Sequence, residues 1–82
     1  MLLVIKTFTE LRNNRFEILH SSEVYSENCT VTPSNCTSIL FINKSAGNIY
    51  ILSNILLEPN ETLEFNNHPG NIIKTNFDIK FE

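Results

Sequence analysis

The sequence predicts an all-β fold: a small antiparallel β-sandwich or partly open barrel, with an extended N-terminal arm as an option. Three observations point there. Short segments rich in β-branched and aromatic residues recur along the chain, turn signals fall between them every six to ten residues, and the last segment has strict period two.

Leu2 to Phe8 (LLVIKTF) reads as a strand on β-branching, although Met1, Val4, Ile5, Phe8 and Leu11 also fall at helical spacing, so helix and strand compete over residues 1–12. Its apolar character ahead of a more regular second half also suits a docking arm. Arg15 to His20 (RFEILH) reads as a strand following an Asn13-Asn14 turn. Ser21 to Ser38 is polar and punctuated by Pro33, with a short strand expected at Cys29 to Thr32. Residues 1–36 are thus N-terminal strands and a loop, and residues 37–82 read as an antiparallel β-meander within the same single domain, 1–82.

In that meander, Thr37 to Asn43 (TSILFIN) leads through Lys44-Ser45-Ala46-Gly47-Asn48 to a return strand at Asn48 to Leu52, with Gly47 expected to supply the positive φ of a hairpin loop. Ser53-Asn54 reads as the next turn, before Ile55 to Glu58. Glu58-Pro59-Asn60-Glu61 has Pro and Asn at the second and third turn positions. Thr62 to Asn66 should point Leu63 and Phe65 inward, and His68-Pro69-Gly70-Asn71 suits a type II turn. Asn76 to Glu82 closes the chain, with Phe77, Ile79 and Phe81 on one face and Asp78, Lys80 and Glu82 on the other. Phe41 and Phe65 join Phe77 and Phe81 as expected core.

Composition and charge narrow the function classes. The 82 residues allow one small domain, and 41% hydrophobic content with six Phe but only two Gly is that of a folded chain rather than a disordered tail. A domain of this size buries only ~60–65% of its unfolded surface, so a staple or a partner should supplement its core. The net charge is −3, and six basic residues are spread singly at Lys6, Arg12, Arg15, Lys44, Lys74 and Lys80. No basic stripe forms, so nucleic acid is not an expected partner. No apolar run approaches the ~18 residues of a membrane span, so no membrane partner is expected. The run Met1 to Ile5 stops at Lys6, shorter than the ~7–15 residues of a secretory core, which leads us to expect a protein made and kept in a cytosol.

Asn28 to Thr37 (NCTVTPSNCT) contains Asn-Cys-Thr twice. With Asn43-Lys44-Ser45 and Asn60-Glu61-Thr62, the chain holds four matches to the glycosylation acceptor pattern. Twelve Asn and fourteen Ser plus Thr would produce about two by chance, so composition is the simplest source. Cys29 and Cys36 could close a disulfide after release from the cell, but a reducing cytosol would keep them as thiols. They lack the second Cys or His pair of a zinc site, so no metal and no cofactor is expected.

No catalytic constellation emerges. His20 and His68 are the only neutral bases, Asp78 is the sole Asp, and Glu58, Glu61 and Glu64 bracket a turn instead of pairing across a cleft. Gly47 and Gly70 stand alone, without a phosphate loop. Tyr25 and Tyr50 are the candidate ligand or partner contacts: together they could present a sugar-stacking or peptide-binding surface, though aromatics in a core or at its rim are the commoner case. The expectation is a non-enzymatic interaction protein that protects its sheet edges or uses them to pair.

A pattern runs through Phe41-Ile42-Asn43, Ile49-Tyr50-Ile51, Leu57 to Phe65, Pro69-Gly70-Asn71-Ile72 and Phe77 to Phe81. From about Ile39 to Glu82 it resembles small β-rich virion proteins of tailed bacteriophages, including those of gut Bacteroidetes and crAss-like phages. The chain departs from that pattern by placing Asn60 where Gly is usual, and Asn can hold the same backbone. The resemblance implies a structural or accessory virion component without an active site, such as a capsid decoration, head-fibre, neck or tail protein. It would assemble in the bacterial host cytoplasm, with other virion proteins and its own copies as partners. The alternative, from a different class, is a small carbohydrate- or peptide-binding β-sandwich.

Overall fold

Residues 1–66 and 72–82 are described by a computed structural model, in which the chain forms eight strands. In order these are β1 (Leu2–Arg12), β2 (Arg15–Tyr25), β3 (Cys29–Val31), β4 (Ser38–Asn43), β5 (Ile49–Ile51), β6 (Ile55–Leu57), β7 (Thr62–Asn66) and β8 (Phe77–Phe81). No helix among the described residues is long and apolar enough to cross a membrane.

The strands make two four-stranded antiparallel sheets, ordered β2-β1-β4-β7 and β3-β8-β5-β6. This is the expected sandwich, and it is not closed into a barrel. Four neighbouring pairs, β1/β2, β3/β8, β4/β7 and β5/β6, fall alternately in the two sheets, which is the strand order of a circularly permuted jelly roll, with β1 in the place of the last strand. Leu2, Val4, Ile39 and Phe41 from the first sheet meet Val31, Ile49, Ile51, Leu57, Phe77 and Ile79 from the second in one buried cluster. At its centre the Phe77 ring lies 5.1 Å from that of Phe41 and 4.8 Å from that of Phe65, so three aromatic side chains bridge the sheets. Phe77 and Ile79 are buried and Phe81 packs against them, as their shared face predicts.

Several local expectations hold for physical reasons. Asn13 and Asn14 both adopt positive φ (49° and 62°), as a two-residue type I′ hairpin loop requires. Asn60 does the same (66°), and the Glu61 N–H donates to the Glu58 carbonyl at 3.0 Å, closing the turn around Pro59. Asn is the side chain that visits this left-handed region at least cost after Gly.

Three expectations need correction. Residues 37–82 are antiparallel but not a meander: β4 and β5 lie in different sheets, and only β5 and β6 pair with their sequence neighbour. The loop between β4 and β5 therefore crosses between the sheets, and Gly47 has no positive φ. Its conformation is set instead by the wholly buried Asn43 side chain, which accepts from Ser45 N–H at 2.8 Å and donates to the Gly47 carbonyl at 2.9 Å. Ser53-Asn54 does turn, in a loop where the positive φ values fall on Leu52 (56°) and Ser53 (68°) and the Leu52 N–H donates to the Asp78 carbonyl of β8. Finally, Leu2 to Phe8 is no arm: β1 is an interior strand between β2 and β4 as far as Thr7, with Leu2 and Val4 in the core and Phe8 packed against it. The expected Pro-Gly turn at His68 to Asn71 lies outside the described residues.

An arm does exist, built from the far half of the first hairpin. β1 pairs with β2 along its whole length, Leu2 to Arg12, but with β4 only from Leu2 to Thr7. Beyond Thr7 the two strands continue as a ribbon without a further strand beside them. The molecule measures 45 × 19 × 17 Å as a result. Its radius of gyration is 13.5 Å, against about 12 Å for a compact chain of this length.

Candidate functional site

The two-residue turn dictates which side chains the arm displays. Arg12 pairs with Arg15, so even-numbered residues of β1 stand opposite odd-numbered residues of β2. Leu2, Val4 and Lys6 face the core, and that commits Glu17, Leu19, Ser21, Glu23 and Tyr25 to the same inner side. Phe16, Ile18 and Val24 are thereby forced outward.

On the outward side of the first sheet, β2 contributes Phe16, Ile18, His20, Ser22 and Val24. β1 adds Leu3, Ile5, Thr7, Thr9 and Leu11, β4 adds Ser38, Leu40 and Ile42, and β7 adds Thr62, Glu64 and Asn66. Glu64, on the edge strand β7, is the one formally charged side chain in this set. Phe16 is 76% exposed and sits opposite Leu11 at 65%, with Ile18 at 65% beside it. Leu3, Ile5, Leu40 and Ile42 form a second, half-buried apolar patch on the body of the sheet, separated from the arm tip by the neutral polar Thr7, His20 and Ser38. An antiparallel sheet with one wet face normally turns its polar residues outward; this one turns Leu3, Ile5, Leu11, Phe16, Ile18, Val24, Leu40 and Ile42 outward among neutral polar residues.

The inner side of the arm is its opposite. Glu10 and Glu17 face each other there, and Arg12 reaches both at 2.8 and 3.7 Å. The arm is thus amphipathic, charged on one side and apolar on the other.

The β2 edge is open as well. In a two-residue hairpin the flanking pair, Arg12 and Arg15, is the hydrogen-bonded one. By alternation the odd residues of β1 point their backbone groups toward β4, which agrees with the Thr7 carbonyl accepting from Thr37 N–H at 2.8 Å and the Met1 carbonyl from Lys44 N–H at 2.9 Å. The backbone groups of Phe16, Ile18, His20, Ser22 and Val24 therefore face the free edge. At eleven residues β2 is the longest edge strand, while β3 and β6 have three each.

Tyr25 and Tyr50 do not share a surface. Tyr25, opposite the buried Leu2, points inward and packs against the core, where its hydroxyl donates to Glu23 Oε2. Glu23 Oε1 also accepts from Lys6 Nζ at 3.1 Å. These bonds hold the Glu23 carboxyl below its ordinary range, while burial and the Glu23 carboxylate push the Tyr25 phenol up to about 12. Tyr50 lies between the buried Ile49 and Ile51, and so points outward from the second sheet into a shallow depression with Ser53, Lys80, Phe81 and Glu82.

The remaining candidates stay apart. Cys36 is in the core and Cys29 is half-buried on β3; burial raises both thiols, and neither is bonded to the other. A raised thiol is a poor nucleophile. Among the described residues no group of His, Cys, Asp and Glu could hold a metal ion. His20 is exposed and bonds Thr7 Oγ1 at 3.1 Å, Asp78 accepts from Thr30 Oγ1 at 3.0 Å, and Glu61 accepts from the Glu58 N–H. His68 lies outside the described residues. Of the acceptor-pattern residues, Asn43 is unavailable for glycosylation, since it is buried and both its amide bonds go to carbonyls, of Gly47 and Leu57.

Composition did carry a signal for the outward face. Met1 to Ile5 and Ile39 to Ile42 are unbroken apolar runs, the pattern of strands covered on both sides. Comparison with family models, with curated proteins and with solved structures finds no match.

Proposed function

We propose that the chain is a non-enzymatic structural or accessory component of a phage virion, such as a capsid decoration, head-fibre, neck or tail protein, working by docking onto other proteins. The observation that carries the docking part is the nearly charge-free outward face of the β2-β1-β4-β7 sheet, with its Leu3, Ile5, Leu40 and Ile42 patch and the exposed Leu11, Phe16 and Ile18 of the arm. Interface centres are depleted of charge in the same way. The permuted jelly-roll order is compatible with a virion setting, since capsid domains, like lectins and cupins, use the parent order. The setting itself rests on the resemblance of Ile39 to Glu82 to phage virion proteins. Mass spectrometry of purified particles tests it: the chain should be found at a fixed ratio to a major shell or tail protein, and its absence would overturn the reading.

The half-buried, outward-pointing Tyr50 beside Lys80 favours a second reading, a carbohydrate- or peptide-binding module. It would use Tyr50 without Tyr25. A glycan array with no signal above background removes the carbohydrate form.

A further inference from the structure

We infer that the outward face of the first sheet is a self-association surface, on which two copies of this chain pack face to face about a two-fold axis, each arm lying across its partner's sheet. This rests on the docking reading above and names its first partner as a second copy.

Symmetry sets the first condition. A two-fold axis brings a face against itself, residue i meeting j and j meeting i, so a face with several charges of one sign would oppose like charges. The outward set carries one formal charge, Glu64, placed at the rim on edge strand β7. Self-pairing can therefore bury Leu3, Ile5, Ile18 and Leu40 without setting like charges together. The charged residues of the arm, Glu10, Arg12 and Glu17, are on its other side and stay in water.

Area sets the second condition. At ~3.4 Å per residue and ~4.8 Å between strands, the six-residue body and five-residue arm present about 550 Å² of face, so a pair buries about 1,100 Å². That just exceeds the ~1,000 Å² expected of a specific interface. The body alone, at about 390 Å² per copy, would not reach it, which gives the arm a reason to carry the exposed Leu11, Phe16 and Ile18 on this side. Two stacked faces of twisted sheets also meet at the usual aligned angle, ~30°.

The test is sedimentation equilibrium of the 9.4 kDa chain over a concentration series reaching about 1 mM, the weak end of specific association. The wild type should reach twice the chain mass. Phe16→Glu and Ile18→Glu, at exposed positions that leave the folded circular dichroism spectrum unchanged, should each return it to the monomer mass. Leu56→Glu, on the outward side of the second sheet, should leave the dimer intact. A wild type that stays monomeric, a trimer or larger ring, or a dimer that survives both arm substitutions overturns the inference. Backbone amide shifts give an independent reading: with rising concentration Leu11, Phe16, Ile18 and Leu40 should move while Tyr50 and Lys80 do not, and the reverse pattern refutes it. A monomer still found in particles would remove the dimer and spare the virion reading; a dimer absent from particles would do the opposite.

Discussion

The Asn43 side-chain amide donates to the Leu57 carbonyl at 2.8 Å, joining the end of β4 in one sheet to the end of β6 in the other through a residue with no solvent exposure. The same amide reaches Gly47, and its oxygen receives Ser45 N–H and Oγ–H, so every polar atom of Asn43 is satisfied. Its backbone is also engaged, with Glu61 and Asn60.

Replacing Asn43 should be costly in an order that chemistry dictates. Asn43→Ala leaves two carbonyls and the Ser45 N–H short of partners and should cost at least about 2 kcal/mol in a urea melt. Asn43→Asp should cost more, because it turns a buried donor into a charged acceptor facing two carbonyl oxygens. A milder effect of Asp than of Ala would refute the role of the amide hydrogens.

Phe77 joins Phe41 and Phe65 across the sandwich and is 1% exposed. Phe77→Ala should destabilise by about 3–5 kcal/mol, from lost burial plus a cavity between the sheets. Phe65→Ala, at a half-buried site, should cost less. Denaturant unfolding of both variants checks the order, and a loss under about 1 kcal/mol at Phe77 would place it outside the core.

At the turns, Asn60 and Ser53 carry positive φ. Ser53→Gly should stabilise the fold by about 0.5–1 kcal/mol, as relief of left-handed strain outweighs the added chain entropy. Asn60→Gly should be close to neutral, since Asn already tolerates that region. Thermal melts of the two variants should therefore separate, with Ser53→Gly the higher.

The Lys6–Glu23–Tyr25 cluster sets two pH limits. The Glu23 carboxyl is depressed below its ordinary value of 4.5, chiefly by the Tyr25 hydroxyl and then by Lys6. Its stabilising contribution is thus complete above that value and is lost as pH falls through the lower folded value. Tyr25 is shifted the other way, to about 12, so its contribution is present below pH 10 and lost between 10 and 12. Glu23→Gln should flatten the acid loss in melting temperature, and Tyr25→Phe should bring the Glu23 titration, followed by NMR, back toward 4.5. An unmoved titration in Tyr25→Phe would mean that the hydroxyl does not hold the carboxylate.

Short-range physics made much of this chain legible before folding was considered. Period two in Phe77-Asp78-Ile79-Lys80-Phe81 already states which side is core, and the paired Asn13-Asn14 and the Pro59-Asn60 step state their turns, because these depend only on neighbouring dihedrals and side chains. The outward exposure of Phe16 and Ile18 is not legible, since Arg15-Phe16-Glu17-Ile18 alternates just as a core-facing strand would. Tertiary structure decided it: Leu2 and Val4 claimed the inner face for the even residues of β1, and a two-residue turn then assigned Phe16 and Ile18 the opposite one. Likewise, nothing local to Lys44–Asn48 says whether β4 returns on itself or crosses to the other sheet. That choice was made by burial of both apolar faces of the chain at once, through contacts between residues far apart in sequence, such as Phe41 with Phe77 and Asn43 with Leu57.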